Sequence, residues 1–186
     1  MTALFDTQGI APYAATNTSN SQNVSINLGD GTFSGNSNDT GARLVTFQGY
    51  NLSDSRLLTV KFYTGLNGTG TLMYHKYRLM TSNTTSTYSS TNSTYARLSY
   101  WNSGISPNEP NNGYMIINPS YDTNWQDTKS FFYVMGTMTG DNGYVYITHS
   151  AGNSNTNVAC QSVMFYASGG NIAMKLKSYP LAHWEN

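Results

Sequence analysis

The segment that most constrains the fold is residues 130–177, where short apolar runs alternate with turn-forming residues. It contains four apolar runs, at residues 131–135, 144–147, 158–166 and 172–176. The links between these runs are small and mostly polar, and they cover residues 140–143, 150–156 and 169–171. Glycine and asparagine accept the positive φ angles that tight strand reversals need, so the links predict hairpin turns. The segment is therefore predicted to be an antiparallel meander, rich in the aromatic and β-branched residues that strands prefer.

The rest of the chain continues the same pattern. Six upstream stretches read as strands, at residues 24–28, 42–50, 57–63, 72–80, 95–101 and 114–117. The glycine-rich residues 65–70 predict a hairpin between the third and fourth of them. Exposed loops are predicted for the two polar stretches at 83–94 and 118–129, and the prolines of 106–113 should end a strand because proline cannot donate to a ladder. No window repeats apolar residues at helical spacing, so no helix is expected.

About ten strands in a chain of this length, some joined by tight turns and others by long loops, predict an all-β domain. The expected architecture is an antiparallel two-sheet sandwich of the jelly-roll type, covering residues 23–186. Residues 1–22 lack the period of a strand or a helix and are predicted to be an extended N-terminal arm. Its isolated apolar residues would anchor it on another subunit, and the alternative is a frayed terminus. These anchoring residues are Leu4, Phe5, Ile10, Pro12 and Tyr13.

Composition excludes several classes of function. Only 10% of the 186 residues are charged, and nine basic residues balance nine acidic ones, so a nucleic-acid partner is not expected. No apolar stretch is long enough to span a membrane, and the first residues do not resemble a signal peptide, which predicts a cytoplasmic chain. The single cysteine, Cys160, lies in an apolar run and is expected to be a small buried hydrophobe.

Catalytic and metal chemistry find little support in the sequence. Most acidic residues lie in predicted turns, where aspartate is favoured for structural reasons. No serine lies in a nucleophile elbow, and His75, His149 and His183 have no motif around them. Asp122, Asn124 and Asp127 could offer oxygen ligands to calcium, but such triplets arise easily in a chain so rich in asparagine. The sequence therefore predicts neither an enzyme nor a cofactor or metal site.

Aromatic residues in loops are the main candidates for binding. Exposed tryptophan and tyrosine rings stack on sugars in many β-sandwich proteins, and nearby amides bond the hydroxyls. The alternative is that these residues are half-buried in a sheet or an interface, as tyrosine and tryptophan often are. The candidates for glycan binding are Tyr88, Trp101, Tyr121 and Trp125.

Taken whole, the chain resembles the small β-structured virion proteins of tailed bacteriophages, such as capsid decoration proteins, head fibres and tail components. The resemblance lies in the high content of Asn, Ser, Thr, Gly and Tyr and in an arm-like segment before a sandwich. It implies a structural protein that assembles in the host bacterial cytoplasm on a capsid or tail, with other virion proteins as partners and often as a homotrimer. The alternative hypothesis is a carbohydrate-binding adhesion module that recognises surface glycans.

Overall fold

The computed structural model describes residues 14–28, 42–51, 58–81, 84–98, 110–118, 131–139, 145–155, 160–167 and 169–181. Within these ranges the chain forms strands and a single 3-10 turn at Leu66–Gly68. The twelve strands are β1 (Ala14–Ser21), β2 (Asn23–Asn27), β3 (Arg43–Asn51), β4 (Leu58–Tyr63), β5 (His75–Thr81), β6 (Thr84–Ser93), β7 (Ala96–Arg97), β8 (Pro110–Asn118), β9 (Phe131–Thr139), β10 (Val145–Ser154), β11 (Ser162–Ala167) and β12 (Ile172–Pro180). The predicted all-β class is confirmed.

The strands form two antiparallel sheets. The larger sheet has eight strands in the order β1-β12-β3-β8-β9-β10-β5-β6, and the smaller has four in the order β2-β11-β4-β7. Four nested pairs connect the two halves of the chain: β1 with β12, β2 with β11, β3 with β8, and β4 with β7. This nesting is a long hairpin folded into two Greek keys, which is the jelly roll. The predicted jelly-roll sandwich is confirmed.

Two hairpins are inserted into this framework. The first, β5–β6, lies in the chain between β4 and β7, and the second, β9–β10, lies between β8 and β11. Both join the larger sheet beyond β8, because β9 pairs with β8 and β10 pairs with β5. The insertions therefore double the width of the larger sheet, while the smaller sheet keeps four strands.

The hydrophobic core lies between the sheets and joins the inserted strands to the framework. Phe62 on β4 stacks on Phe132 of β9 with ring centroids 4.6 Å apart, and the rings of Phe47 on β3 and Phe165 on β11 are 5.2 Å apart. All four side chains are buried. Burial of one such side chain contributes about 1.5–3 kcal/mol, so these two contacts hold the layers together strongly. Cys160 belongs to the same buried cluster, as predicted.

The predicted meander at residues 130–177 is wrong beyond its first hairpin. Strands β9 and β10 do pair with each other. Strand β11, however, lies in the smaller sheet between β2 and β4, and β12 lies in the larger sheet between β1 and β3. The turn residues allow a reversal, but they do not determine which sheet the next strand joins, because a short link can also cross between packed layers.

The predicted hairpin around residues 65–70 begins and then diverges. Tyr63 and Leu72 form an isolated bridge, and the amide of Met73 donates to the carbonyl of Phe62 at 2.9 Å. The chain then crosses to the larger sheet, where β5 pairs with β10 and β6. The strand prediction for residues 72–80 was therefore right only from His75 onward.

Three local predictions differ from the strands that the structure contains. The polar tract at 83–94 forms edge strand β6 rather than a loop, since an edge strand needs few apolar residues. The strand predicted at residues 114–117 begins earlier, at Pro110, because proline is tolerated as the first residue of a strand. Within residues 95–101, the described part contains only the two-residue strand β7.

Residues 14–21, which the sequence assigns to the arm, form β1 at the edge of the larger sheet. Their side chains are small and polar, so the alternation between half-buried and exposed positions is not visible in a hydrophobicity pattern. The arm residues Leu4, Phe5, Ile10, Pro12 and Tyr13 lie outside the described residues, and the division between arm and sandwich stays a prediction.

Candidate functional site

The predicted glycan-binding residues are not brought together by the described part of the chain. Trp101, Tyr121 and Trp125 lie outside the described residues, as does the Asp122 to Asp127 triplet considered for calcium. Tyr88 is placed only through its backbone, which pairs with Leu79 in the β5–β6 ladder. These assignments stay predictions, and the surfaces of the two sheets supply the candidate sites.

The centre of the larger sheet has an apolar outer face, which points away from the smaller sheet. Phe132 and Val134 of β9 point inward and are buried, so Tyr133 and Met135 occupy the opposite face. The ladders place Ile116 of β8 and Ala151 of β10 on either side of Tyr133. We call this surface the aromatic strip; it consists of Tyr114, Ile116, Tyr133, Met135, Ile147, His149 and Ala151.

Two members of the aromatic strip are notably exposed. Ile147 keeps 40% of its surface accessible and Tyr133 keeps 37%. The Tyr133 hydroxyl and Nδ1 of His149 share a hydrogen bond of 2.8 Å, and the Tyr114 hydroxyl donates to Sδ of Met135 at 3.4 Å. These contacts fix the orientation of the rings while leaving the apolar surface bare. A fixed apolar surface loses little side-chain entropy when a partner covers it.

The outer face of the smaller sheet is used differently, because its polar and aromatic groups bind one another. Nζ of Lys61 lies 4.4 Å from the centroid of the Tyr166 ring, and the Tyr63 hydroxyl lies 3.9 Å from Sδ of Met164. Thr59 on the same face is buried, and its hydroxyl donates to the Tyr166 carbonyl at 3.1 Å. Burial raises the pKa of the Tyr166 phenol. This face is therefore the less available of the two for a partner.

A groove lies at the other end of the larger sheet's outer face, across β1, β12 and β3. Three polar residues lie side by side here, because Lys175 of β12 pairs with Asn17 of β1 and with Gln48 of β3. A second depression along β1 and β12 adjoins it and includes Lys177. We call the first cavity, of about 440 Å³, the edge groove; among the described residues it is lined by Asn17, Thr18, Ser19, Gln48, Gly49, Ala173, Met174 and Lys175.

Charge is distributed unevenly between the sheets and the remaining segments. All nine acidic residues lie outside the described residues, whereas seven of the nine basic residues lie within them. Lys175 and Lys177 are exposed on the outer face of β12. The described seven are Arg43, Lys61, Lys76, Arg78, Arg97, Lys175 and Lys177. Among these seven, Arg43 and Arg97 are buried.

No catalytic cluster emerges from the part of the chain that the structure describes. Within it, no three histidine, cysteine, aspartate or glutamate side chains lie close enough to hold a metal ion. Burial raises the pKa of the Cys160 thiol to about 12, so this group is protonated at neutral pH. No described helix has the length and apolar character to cross a membrane.

Comparison with known proteins adds no relative: no family model, no curated protein and no solved structure matches the chain. The class of the molecule is therefore defined by its own geometry. It is a jelly-roll sandwich whose larger sheet is widened by two hairpins and carries an exposed aromatic strip beside a polar groove.

Sequence reasoning did not single out the aromatic strip, although a signal for it was present. Residues 131–135 read FFYVM, with no polar position between apolar ones. A strand that is apolar at every position has two apolar faces, and only one of them can point into a two-layer core. The second face predicts either another layer or an exposed surface. The edge groove left no such signal, because it arises from residues far apart in sequence.

Proposed function

We propose that this chain is a non-enzymatic structural protein of a tailed-bacteriophage particle, which assembles on a capsid or tail as a decoration, cement or fibre-like component. The observation that carries the proposal is the aromatic strip. It lies in the middle of an eight-stranded sheet, its rings are held in place, and two of its apolar side chains are well exposed. An exposed apolar surface of this kind is typical of a protein–protein contact.

The chemistry of the strip suits a partner protein. Interface cores favour tyrosine, methionine and aliphatic residues and contain few charges. The strip contains two tyrosines, a methionine and two isoleucines, and neither a lysine, an arginine nor an acidic residue. The partner we propose is another virion protein, in the capsid or tail, presenting an equally uncharged surface. We propose that the residues of the predicted arm ahead of β1, residues 1–13, contact the same partner.

The test is association with the particle after the strip is given a charge. We expect Ile147→Glu and Tyr133→Glu to reduce the copies of this protein found in purified virions by about tenfold or more, the effect of a central interface residue. Tyr74→Glu is the matched control, since Tyr74 is 47% exposed and lies outside the strip. Copy number is measured by quantitative mass spectrometry of virions, and folding by circular dichroism. Virions that incorporate the strip variants as well as the control variant would exclude the proposed interface.

The alternative function is a carbohydrate-binding adhesion module that uses Tyr88, Trp101, Tyr121 and Trp125. Its test is a glycan array probed with the unmodified protein and with Trp125→Ala. Glycan binding that is lost in this variant, together with a monomeric mass in solution and no incorporation into virions, would favour adhesion over the structural role.

A further inference from the structure

We propose that the edge groove binds an acidic sugar, that is, a pyranose that carries a carboxylate. The inference does not depend on the proposed structural role, because the edge groove and the aromatic strip lie on different strands. Three features support it: the shape of the floor, the hydrogen-bonding groups of the rim, and the positive charge of Lys175.

The shape follows from one small residue and one irregular strand edge. Ala173 lies on the outer face of β12 between the longer Lys175 and the end of the strand, so the surface dips there. Strand β1 shifts its register between Thr18 and Ser21, which takes Ser19 out of the regular ladder. Such shifts at a sheet edge redirect side chains. A volume of about 440 Å³ lies within the range of roughly 300–1,000 Å³ typical of small-ligand sites.

The polar rim has hydrogen-bonding groups that no other side chain in the described part of the chain binds. Other amides of the chain are paired internally: Asn27 with Asn67 at 3.0 Å, and Asn171 with Asn20 at 2.6 Å. Asn17 and Gln48, by contrast, are exposed and make no side-chain hydrogen bond to another described residue. An amide offers both donors and acceptors, which matches the hydroxyl groups of a sugar, since each hydroxyl also does both.

The positive charge of the lysines at the edge groove favours an anionic ligand. Lys175 lies in the edge groove and Lys177 in the depression that adjoins it, and both side chains are exposed. A phosphate group is the weaker fit, because phosphate sites commonly use free backbone N–H groups or arginine, and the β12 backbone is paired on both sides.

The experiment compares two sugars that differ only in the carboxylate. Methyl β-D-glucuronide and methyl β-D-glucoside are titrated into the full chain, and binding is followed by backbone amide shifts in NMR spectra. We expect the glucuronide to shift the amides of Asn17, Gln48 and Ala173 and to bind roughly threefold to fivefold more tightly than the glucoside, as one exposed charge pair would give. Equal binding of the two sugars, or shifts confined to other residues, would overturn the proposal.

Variants separate the contributions of charge and shape. Lys175→Gln should bring the affinities for the two sugars to within about twofold of each other, because it removes the exposed ion pair between the lysine and the sugar carboxylate. Ala173→Leu should fill the floor and abolish the shifts caused by both sugars. Lys61→Gln is the control, since Lys61 lies on the other sheet, and it should leave both affinities unchanged. Unchanged selectivity in Lys175→Gln would refute the site even if Ala173→Leu failed to fold.

Discussion

At the scale of single residues, the packing of Phe47 depends on two glycines that face it across the larger sheet. The ladder places Phe47 opposite Gly113, and Gly113 opposite Gly136. A Cβ atom at Gly113 would overlap the ring of Phe47 and the carbonyl of Met135, whereas a Cβ at Gly136 would lie 3.3 Å from the same ring. The two positions therefore differ in how much room they leave for a methyl group.

We expect Gly113→Ala to lower the free energy of unfolding by about 1–3 kcal/mol, the usual cost of overpacking a core. Gly136→Ala should cost less, because the Phe47 ring needs to move by only a few tenths of an ångström. Urea unfolding of both variants measures the difference. A larger loss at Gly136 than at Gly113 would contradict this account of the Phe47 contact.

Cys160 makes stability depend on alkaline pH. Burial raises the pKa of its thiol from 9.0 to about 12, although its hydrogen bonds to the backbone partly oppose the shift. A thiol whose pKa is higher in the folded state favours folding below pH 9, and this contribution is lost as the pH rises toward 12. We expect the free energy of unfolding to fall between pH 9 and pH 10.5 more steeply in the unmodified protein than in Cys160→Ala. Parallel pH profiles would rule out this linkage.

At the scale of elements, β1 is the segment whose role differs most from the sequence-based expectation. Six of its eight residues pair with β12, and Asn20 accepts a hydrogen bond from Nδ2 of Asn171 at 2.6 Å. On the other side of β12 lies β3. Removing β1 would therefore turn β12 into an exposed edge with unpaired backbone groups.

Two deletions distinguish an arm from a strand. Deleting residues 1–13 should leave the midpoint of thermal unfolding within a few degrees of the full chain, since this deletion stops before β1. Deleting residues 1–22 should lower the midpoint clearly and promote aggregation, because a long edge strand becomes accessible to other copies. Scanning calorimetry and light scattering measure both effects. Equal stability of the two truncated chains would show that β1 contributes nothing to the sheet.

Most strand positions could be predicted from the sequence, but most strand partners could not, the pairing of β9 with β10 being the exception. The alternation at Val24, Ile26 and Leu28 marks one buried face correctly, because apolar side chains at every second position must share a face. The link at 169–171 looks like a hairpin turn, yet it carries the chain from β11 in one sheet to β12 in the other. Partner choice depends on the packing of whole layers, which no local pattern contains.

At the scale of the whole molecule, the nested pairing makes folding a long-range process. The first described strand pairs with the last, and the second pairs with the next to last. Each of these pairs must close a loop of most of the chain before its contacts form, and that entropy slows folding. The jelly-roll class could be predicted from strand number and loop lengths, and so could the pairing of β9 with β10. The places of the two inserted hairpins in the larger sheet could not be predicted, since no local pattern records which strand they join.

We expect refolding from urea to take milliseconds to seconds, on the order found for sandwich topologies. Stopped-flow circular dichroism measures this rate. A chain truncated after residue 155 should show no native strand signal, because it lacks β11 and β12, which lie between other strands in both sheets. Refolding in microseconds, or a native-like spectrum from the truncated chain, would contradict the dependence on nested pairs.

The adjacency of β1 and β12 also determines how the molecule responds to force. Ala14 lies beside Ser178, and the amide of Leu181 donates to the carbonyl of Ala42. The first and last described residues, Ala14 and Leu181, therefore lie at the same end of the larger sheet. Tension applied between Ala14 and Leu181 would load the hydrogen bonds of the β1–β12 ladder one at a time, rather than shearing all of them in parallel. The hydrogen bonds between β1 and β12 would then break one after another, at low force. A tether attached at only one of these two residues would leave the β1–β12 ladder without load.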